Sequence, residues 1–386
     1  MGNYKTGGQR LWRNSPGKRA YLFWKQKNII NYVAEANDSF KDREFNGVDS
    51  LILSQLAYLH YDDFVPGLSA DSKPVSIRQL KNKDGIDRVF QRVRGGKKNK
   101  KLFAALLDSP RFGDMELTFY VNSIDIEKEK QFSAITFLLN DETAYIAYRG
   151  TDSTFVGWKE DFNMTFISPI PAQIEGVKYL NTVGELMNNN IRLGGHSKGG
   201  NIAIYSSVNC HPQFQNRVIK VFSHDSPGFK KEFLQNPSYF NMQEKIHKYL
   251  PQSALVGMLS QEQEDHVIIK SNRFWIAQHD PYSWVVNDQD FRYLETIKNG
   301  AMLFNEILNE WIDSFEDEKK ELFVNTLFQV IYATEATTIY DLTKDWHKKA
   351  IASLAAIRGI DNETRKFVLQ AINLLFAKAI KKMAKR

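Results

Sequence analysis

Residues 194–200 read Gly-Gly-His-Ser-Lys-Gly-Gly, and Ser197 is the one hydroxyl among four glycines. Its frame, Gly195-His196-Ser197-Lys198-Gly199, is G-x-S-x-G, with the apolar stub "IRL" before it and the helix-like run "NIAIYSSVN" after it. A serine on a sharp strand-to-helix bend exposes its Oγ, while flanking positions without Cβ let strand and helix approach. The following N–H, that of Lys198, then points where an oxyanion would develop in acyl transfer, and the helix adds its positive dipole end. A phosphate loop requires G-K-[ST] after its gap, and here Ser197 precedes Lys198, so that order is wrong. The bland alternative is a glycine-rich packing corner.

A nucleophilic serine needs a base. In α/β hydrolases the chain order is Ser, then Asp or Glu, then His. The histidines after Ser197 are His211, His224, His247, His266, His279 and His347. His211 follows the helix after the elbow, His224 and His247 lie in or beside strand candidates, and His347 falls in a late helical region. His279, in "FWIAQHDPYSW", follows the last strand-like run and stands in a turn before Pro281. It is the candidate base, against the alternative of a loop histidine capped by Asp280.

These groups need a frame to hold them. "MELTFYVNSI" alternates and is rich in β-branched and aromatic residues, as strands are. "SAITFLLN" and "TAYIAYRG" flank Asp141-Glu142 as a hairpin, "AQIEGVKYLNTVGELM" carries helical spacing, and "RVIKVFSH", "KIHKYL" and "HVIIKS" read as further strands. Helix alternating with strand predicts an α/β fold with a mostly parallel central sheet flanked by helices. Earlier, "VDSLILSQLAYLHY" predicts a helix capped by Asp49 or Ser50, while residues 66–112 give no clear pattern. Beyond residue 295 every run is helical, including a last helix with Phe367, Ala371, Leu374 and Leu375 on one face. The expected organisation is a loose leader over 1–27, an α/β domain over 28–295, and an all-helical C-terminal region over 296–386.

Composition narrows the class. With 386 residues, 42% hydrophobic and 25% charged, the chain can bury a large core. One cysteine, Cys210, excludes an internal disulfide and fits a reducing compartment. The basic, polar start resembles no secretory signal, and no run of 18 apolar residues occurs, so the expected location is the cytoplasm. "MGNYKT" fits the short pattern for myristoylation at Gly2, which arises often by chance. The net charge of +6 gathers in residues 92–101 and 377–386. Solvated faces explain it; the sharper reading is attraction to an anionic membrane surface, since no nucleic-acid motif accompanies it. The His and carboxylate spacings match no metal site, there is no H-E-x-x-H, and no cofactor is implied.

The run "YRGTDSTFVGWKEDF" (148–162), ahead of the elbow, resembles the F-R-G-T…W…D segment of class 3 lipases, and hairpin, loop, helix and elbow come in that family's order. The chain also looks like members of an uncharacterised bacterial α/β-hydrolase family with "GGHSKGGN" and "QHDPYSW", the similarity spanning residues 28–295. The resemblance implies an α/β-hydrolase fold and a second oxyanion donor at Thr151, opposite the Lys198 amide, with Trp158 and Asp161 bracing the loop. An ordinary strand-terminal turn is the alternative for Thr151. The family's acid follows the penultimate strand, yet "YLPQSALVGML" has Ser253 and Ala254 there. Some α/β hydrolases take the acid from the preceding strand, which implies Asp225, directly after "VFSH". Glu264, Asp265 or a dyad completed by a backbone carbonyl stay open.

The expectation is a serine hydrolase of carboxylic esters, lipase- or esterase-like, acting on a small-molecule or lipid ester. Its catalytic residues would be Ser197, His279 and Asp225, with Thr151 and Lys198 at the oxyanion. The alternative is a catalytically impaired hydrolase-fold protein serving as a peripheral membrane protein or scaffold.

Overall fold

The computed structural model describes residues 26–152, 154–259, 265–297, 299–336 and 346–383. The expected leader, Gly2 within it, and Glu264 thus lie outside the described residues, apart from the leader's last two.

Eight strands build the sheet in chain order: β1 (Val75–Ser76), β2 (Glu116–Asp125), β3 (Lys130–Leu138), β4 (Ala144–Tyr148), β5 (Ile191–His196), β6 (Val218–His224), β7 (Ile246–Pro251) and β8 (Val267–Ile269). The short strand Tyr293–Leu294 closes the far edge against β8. β4 to β8 are parallel to one another, β2 shares their direction, and β1, β3 and the closing strand oppose it. The sheet is therefore mixed, with six of nine strands running one way. The expected hairpin around Asp141-Glu142 is the β3–β4 connection, Ala134 opposite Tyr148 and Leu138 opposite Ala144.

Every residue of β4 is buried, because helices cover both faces. Alternation sends Tyr145 and Ala147 to one core and Ile146 and Tyr148 to the other. The first core holds α1 (Ile29–Glu35), α2 (Gly47–Leu56) and, after the short α3 (Ile77–Lys81), the apolar stripe Leu102, Phe103, Leu106 of α4 (Gly96–Asp108). The second holds α6 (Pro171–Leu186) and α7 (Lys198–Asn209), beyond α5 (Phe155–Asn163), through Leu180, Val183, Ile202 and Ile204. Each such side chain contributes roughly 1.5–3 kcal/mol by leaving water.

α2 starts earlier than its sequence suggested. Asn46 is its N-cap, accepting from the Val48 and Asp49 amides, and Asp49 returns the bond to the Asn46 N–H at 2.9 Å. The acidic residue is the third helical position of a capping box rather than the cap, a role that its spacing permits equally. The undefined stretch 66–112 resolves into β1, α3, a 3-10 turn (Ile86–Phe90) and α4.

After residue 297 the described chain is helical: Asn299–Asp313, Asp317–Tyr332, Trp346–Gly359 and Asn362–Met383. Val324 and Phe328 of the second pack on Phe155 and Phe166, so this helix sits on α5 and the loop after it. Asn305 donates to the Ala254 carbonyl (2.8 Å), and Trp311 Nε1 donates to that of Ala371 (2.7 Å), which ties the first helix to the sheet domain and to the last helix. Among the described residues no helix is long and apolar enough to cross a membrane.

Candidate active site

Ser197 stands between β5 and α7 at φ 59°, ψ −135°. A side chain with a Cβ pays on the order of 1–3 kcal/mol in such a region, and it persists where its surroundings over-determine it. Here the Ser197 N–H donates to the His224 carbonyl (2.9 Å) and its own carbonyl accepts from Gly200 (3.0 Å). Two glycines make the bend sterically open: a Cβ on Gly195 would collide with the Gly199 carbonyl group, and one on Gly199 with the Tyr148 carbonyl oxygen.

Asp225 caps the neighbouring strand, β6, at φ 47° and is 1% exposed. Its Oδ1 accepts the Gly257 N–H (3.0 Å), and its Oδ2 lies 2.6 Å from His279 Nδ1. With its proton on Nδ1, the imidazole donates to the carboxylate, which sets the tautomer and leaves Nε2 as the free base. His279 ends the 3-10 turn Trp275–His279 and is held by its neighbour: Gln278 accepts from the Ser253 amide (2.9 Å), donates to the Arg273 carbonyl (2.8 Å), and takes the Trp284 indole N–H on its own carbonyl (2.9 Å). The His279 ring lies 4.4 Å, centroid to centroid, from that of His196, the residue before Ser197.

Two of the other candidate histidines make structural contacts. His224 is fully buried, bonded to Ser50 Oγ at 2.8 Å and stacked on Tyr249, and burial pushes its pKa down to about 3. His211 is exposed and stacks on Phe214. Asp280, next to His279, turns away to pair with Lys98 at 2.6 Å. Asp265 is exposed. The segment with Ser253 and Ala254 brings no carboxylate, yet its Gly257 amide holds Asp225 from behind.

Thr151 lines the same cavity as Ser197 and His279. Its hydroxyl donates to Asp161 at 2.5 Å, and the Trp158 indole N–H donates to the Asp152 carbonyl at 3.3 Å, so both residues brace this loop. Lys198 has two separate parts. Its backbone opens α7, where no intrahelical acceptor exists for the N–H. Its side chain is buried under the elbow and donates to Glu160 Oε2 (2.6 Å), Gln131 Oε1 (2.8 Å) and the Gln131 carbonyl (2.9 Å). Glu160 takes the Gln131 amide on the same oxygen (3.1 Å) and the Ala172 amide on the other (2.9 Å). Neither Gly257 nor this ion pair is legible in the sequence, beyond Glu160 adjoining Asp161 in the braced loop.

The cavity measures about 530 Å³. Besides the polar residues at its base, its walls are largely apolar, and Leu308, Trp311, Phe315, Phe323 and Phe367 come from the C-terminal helices. Among the described residues no His, Cys, Asp and Glu cluster has metal-binding geometry.

Burial raises the Asp161 pKa to about 6, against the lowering pull of Lys198 and the Thr151 hydrogen bond. The folded state therefore holds this proton more tightly than the unfolded chain, and between about pH 4 and 6 stability falls as pH rises. Asp161 is only partly screened from the cavity, so the penalty at neutral pH is on the order of 1–2 kcal/mol. Asp161→Asn is expected to be more stable than wild type by that amount at pH 7.5 and nearly equal at pH 4. Urea midpoints across that range check it; a difference independent of pH contradicts the assignment.

A mixed, mostly parallel sheet between helical layers, with a strained serine where β5 meets α7, defines an α/β-hydrolase-like protein. Residues 106–329, more than half of the chain, match the Mbeg1-like family, and the chain belongs to that family. Among solved structures it is similar to the Rhizomucor miehei lipase–propeptide complex, at 15% identity and TM-score 0.34, over 49% of this chain and 64% of that one. A fungal lipase–inhibitor complex (15%, TM-score 0.31, 50% and 75% covered) and the Lip2 lipase of Yarrowia lipolytica (13%, TM-score 0.29, 48% and 72%) are also similar. The chain thus spans slightly under two thirds of the Rhizomucor lipase. No curated protein sequence matches it.

Proposed function

We propose that the protein is a serine hydrolase of carboxylic esters, lipase- or esterase-like. Ser197 Oγ attacks the ester carbonyl, and His279 Nε2 takes its proton and returns it to the departing alcohol. Asp225 holds the imidazole and stabilises its cation, and water then releases the acyl group by the same route. The amides of Thr151 and Lys198 receive the oxyanion. The observation that carries this reading is the 2.6 Å contact between His279 and a buried Asp225 beside a serine on a strained elbow, with serine and imidazole lining one cavity. An alkyl fluorophosphonate should label wild type on the Ser197 peptide; no adduct, or an adduct elsewhere, removes the assignment.

The apolar walls favour a lipid-like acyl chain over a short polar one. Burying a methylene contributes about 0.8 kcal/mol, so kcat/KM for p-nitrophenyl esters should rise roughly fourfold per added carbon until the cavity is filled. A profile falling beyond about four carbons points to a short-chain esterase instead.

The scaffold alternative draws on the missing carboxylate at 253–254 and on the basic tail; the Asp225–His279 contact supports the enzyme reading over it. We assign the protein to the cytoplasm on its lone, buried Cys210, with an anionic membrane surface as a contact and nucleic acid as none. Exposed Phe376 and Ile380 with Lys378 and Lys381 on the last helix support the contact. Co-sedimentation with anionic but not neutral vesicles tests it; equal recovery with both sinks it.

A further inference from the structure

A second cavity of about 230 Å³ shares Arg94 with the apolar one. It is walled by Ala277 and Asp280 on either side of His279, and by Tyr58, His196, Lys98 and Arg273. Three independent features there call for an anion. Helix α4, 13 residues long, opens onto it at Gly95, which caps at φ 73° with no side-chain acceptor. The Gly96 and Lys97 amides have no intrahelical acceptor, and the helix dipole is positive at this end. Next, Arg94 and Arg273 face the cavity with no carboxylate partner among the described residues, whereas Lys98 is paired with Asp280. Last, His196 is 2% exposed, its Nδ1 lies 3.1 Å from the Tyr58 hydroxyl, and its buried Nε2 has no hydrogen-bond partner among the described residues. A buried ring nitrogen without a partner is the exception in folded proteins, and in the tautomer where Tyr58 donates to Nδ1 this Nε2 is a donor in want of an acceptor. Residues 92–101, a basic run whose charge the ester chemistry leaves unused, supply the heart of this site.

We propose that this cavity binds a phosphate-class oxyanion, carried on the alcohol side of the ester substrate. The substrate assignment rests on the hydrolase reading above. His279 must hand its proton to the leaving oxygen, and Ala277 and Asp280, two residues before it and one after, wall this cavity, so the alcohol departs toward it while the acyl chain occupies the apolar one. Only the acyl C–O bond breaks: water adds to the acyl carbon, the alcohol keeps its oxygen and gains a proton, and the phosphate leaves attached to it unchanged.

Phosphorus-31 NMR titrations with inorganic phosphate and with glycerol 3-phosphate test the site without catalysis. Wild type should bind both, and Arg94→Gln/Arg273→Gln should bind each at least about tenfold more weakly, two guanidinium contacts being lost. In kinetics, wild type should favour a 1-acyl-glycerol 3-phosphate over the 1-acyl-glycerol of the same chain by about tenfold or more in kcat/KM, and the double variant should lose that ratio. No phosphate binding by wild type, or equal binding by both proteins, overturns the site. Binding that the variant loses, without any head-group preference, overturns the substrate assignment in favour of free phosphate. Binding that the variant loses in a protein that fluorophosphonate does not label supports the site while the hydrolase reading falls.

Discussion

Ser197→Ala is expected to lower kcat by about 10⁶-fold, and Asp225→Asn by about 10⁴-fold, with both variants folded. The serine loss removes the only atom that forms the acyl bond, so what survives is water attack helped by the oxyanion amides. The aspartate loss is subtler. An amide in place of the Asp225 carboxylate keeps its shape and can still accept the Gly257 N–H on the oxygen. Its NH2 group would face His279 Nδ1 as a donor, reverse the tautomer and put the proton on Nε2, where the base must be free. About 5 kcal/mol of transition-state stabilisation goes with it. Steady-state kinetics on the best p-nitrophenyl ester, with circular dichroism for the fold, measures both. Asp225→Asn retaining more than about a tenth of wild-type kcat would return the acid role to Asp265, Glu264 or a backbone carbonyl.

The elbow was legible because its demands are local. Four glycines, a serine and the change from strand to helix pattern lie within a dozen residues, and the steric reason for Gly195 and Gly199 is one that sequence states directly. The choice among the candidate acids was not, because it turns on tertiary approach. Asp225 and Asp265 each follow or precede a strand, and only the amide of Gly257, 32 residues from Asp225, separates a held carboxylate from a solvated one. The region 66–112 hid α4 because its first turn, Gly-Lys-Lys-Asn, is polar and its apolar stripe is confined to Leu102, Phe103 and Leu106. The four described late helices were visible by periodicity. Their placement over Ser197 was not, since an apolar stripe does not say which surface it will cover.

Lys198→Met is expected to destabilise the fold by about 3–5 kcal/mol. The side chain length is nearly kept, so the cost comes from Glu160, which would remain as a buried carboxylate with two backbone amides and no cation. A compensating change separates this from a packing fault. Glu160→Gln in the Lys198→Met background removes the stranded charge and still offers an oxygen to one amide, so the double variant should recover about 2 kcal/mol over the single one. Urea unfolding of the three proteins measures it. The Lys198 amide is untouched by either change, so folded Lys198→Met should still take the fluorophosphonate, whereas a lysine acting through its ammonium would take labelling with it. A loss under about 1 kcal/mol in the single variant would mean that water reaches Glu160, and that the ion pair beneath the elbow does not hold α7 against β3 and α5.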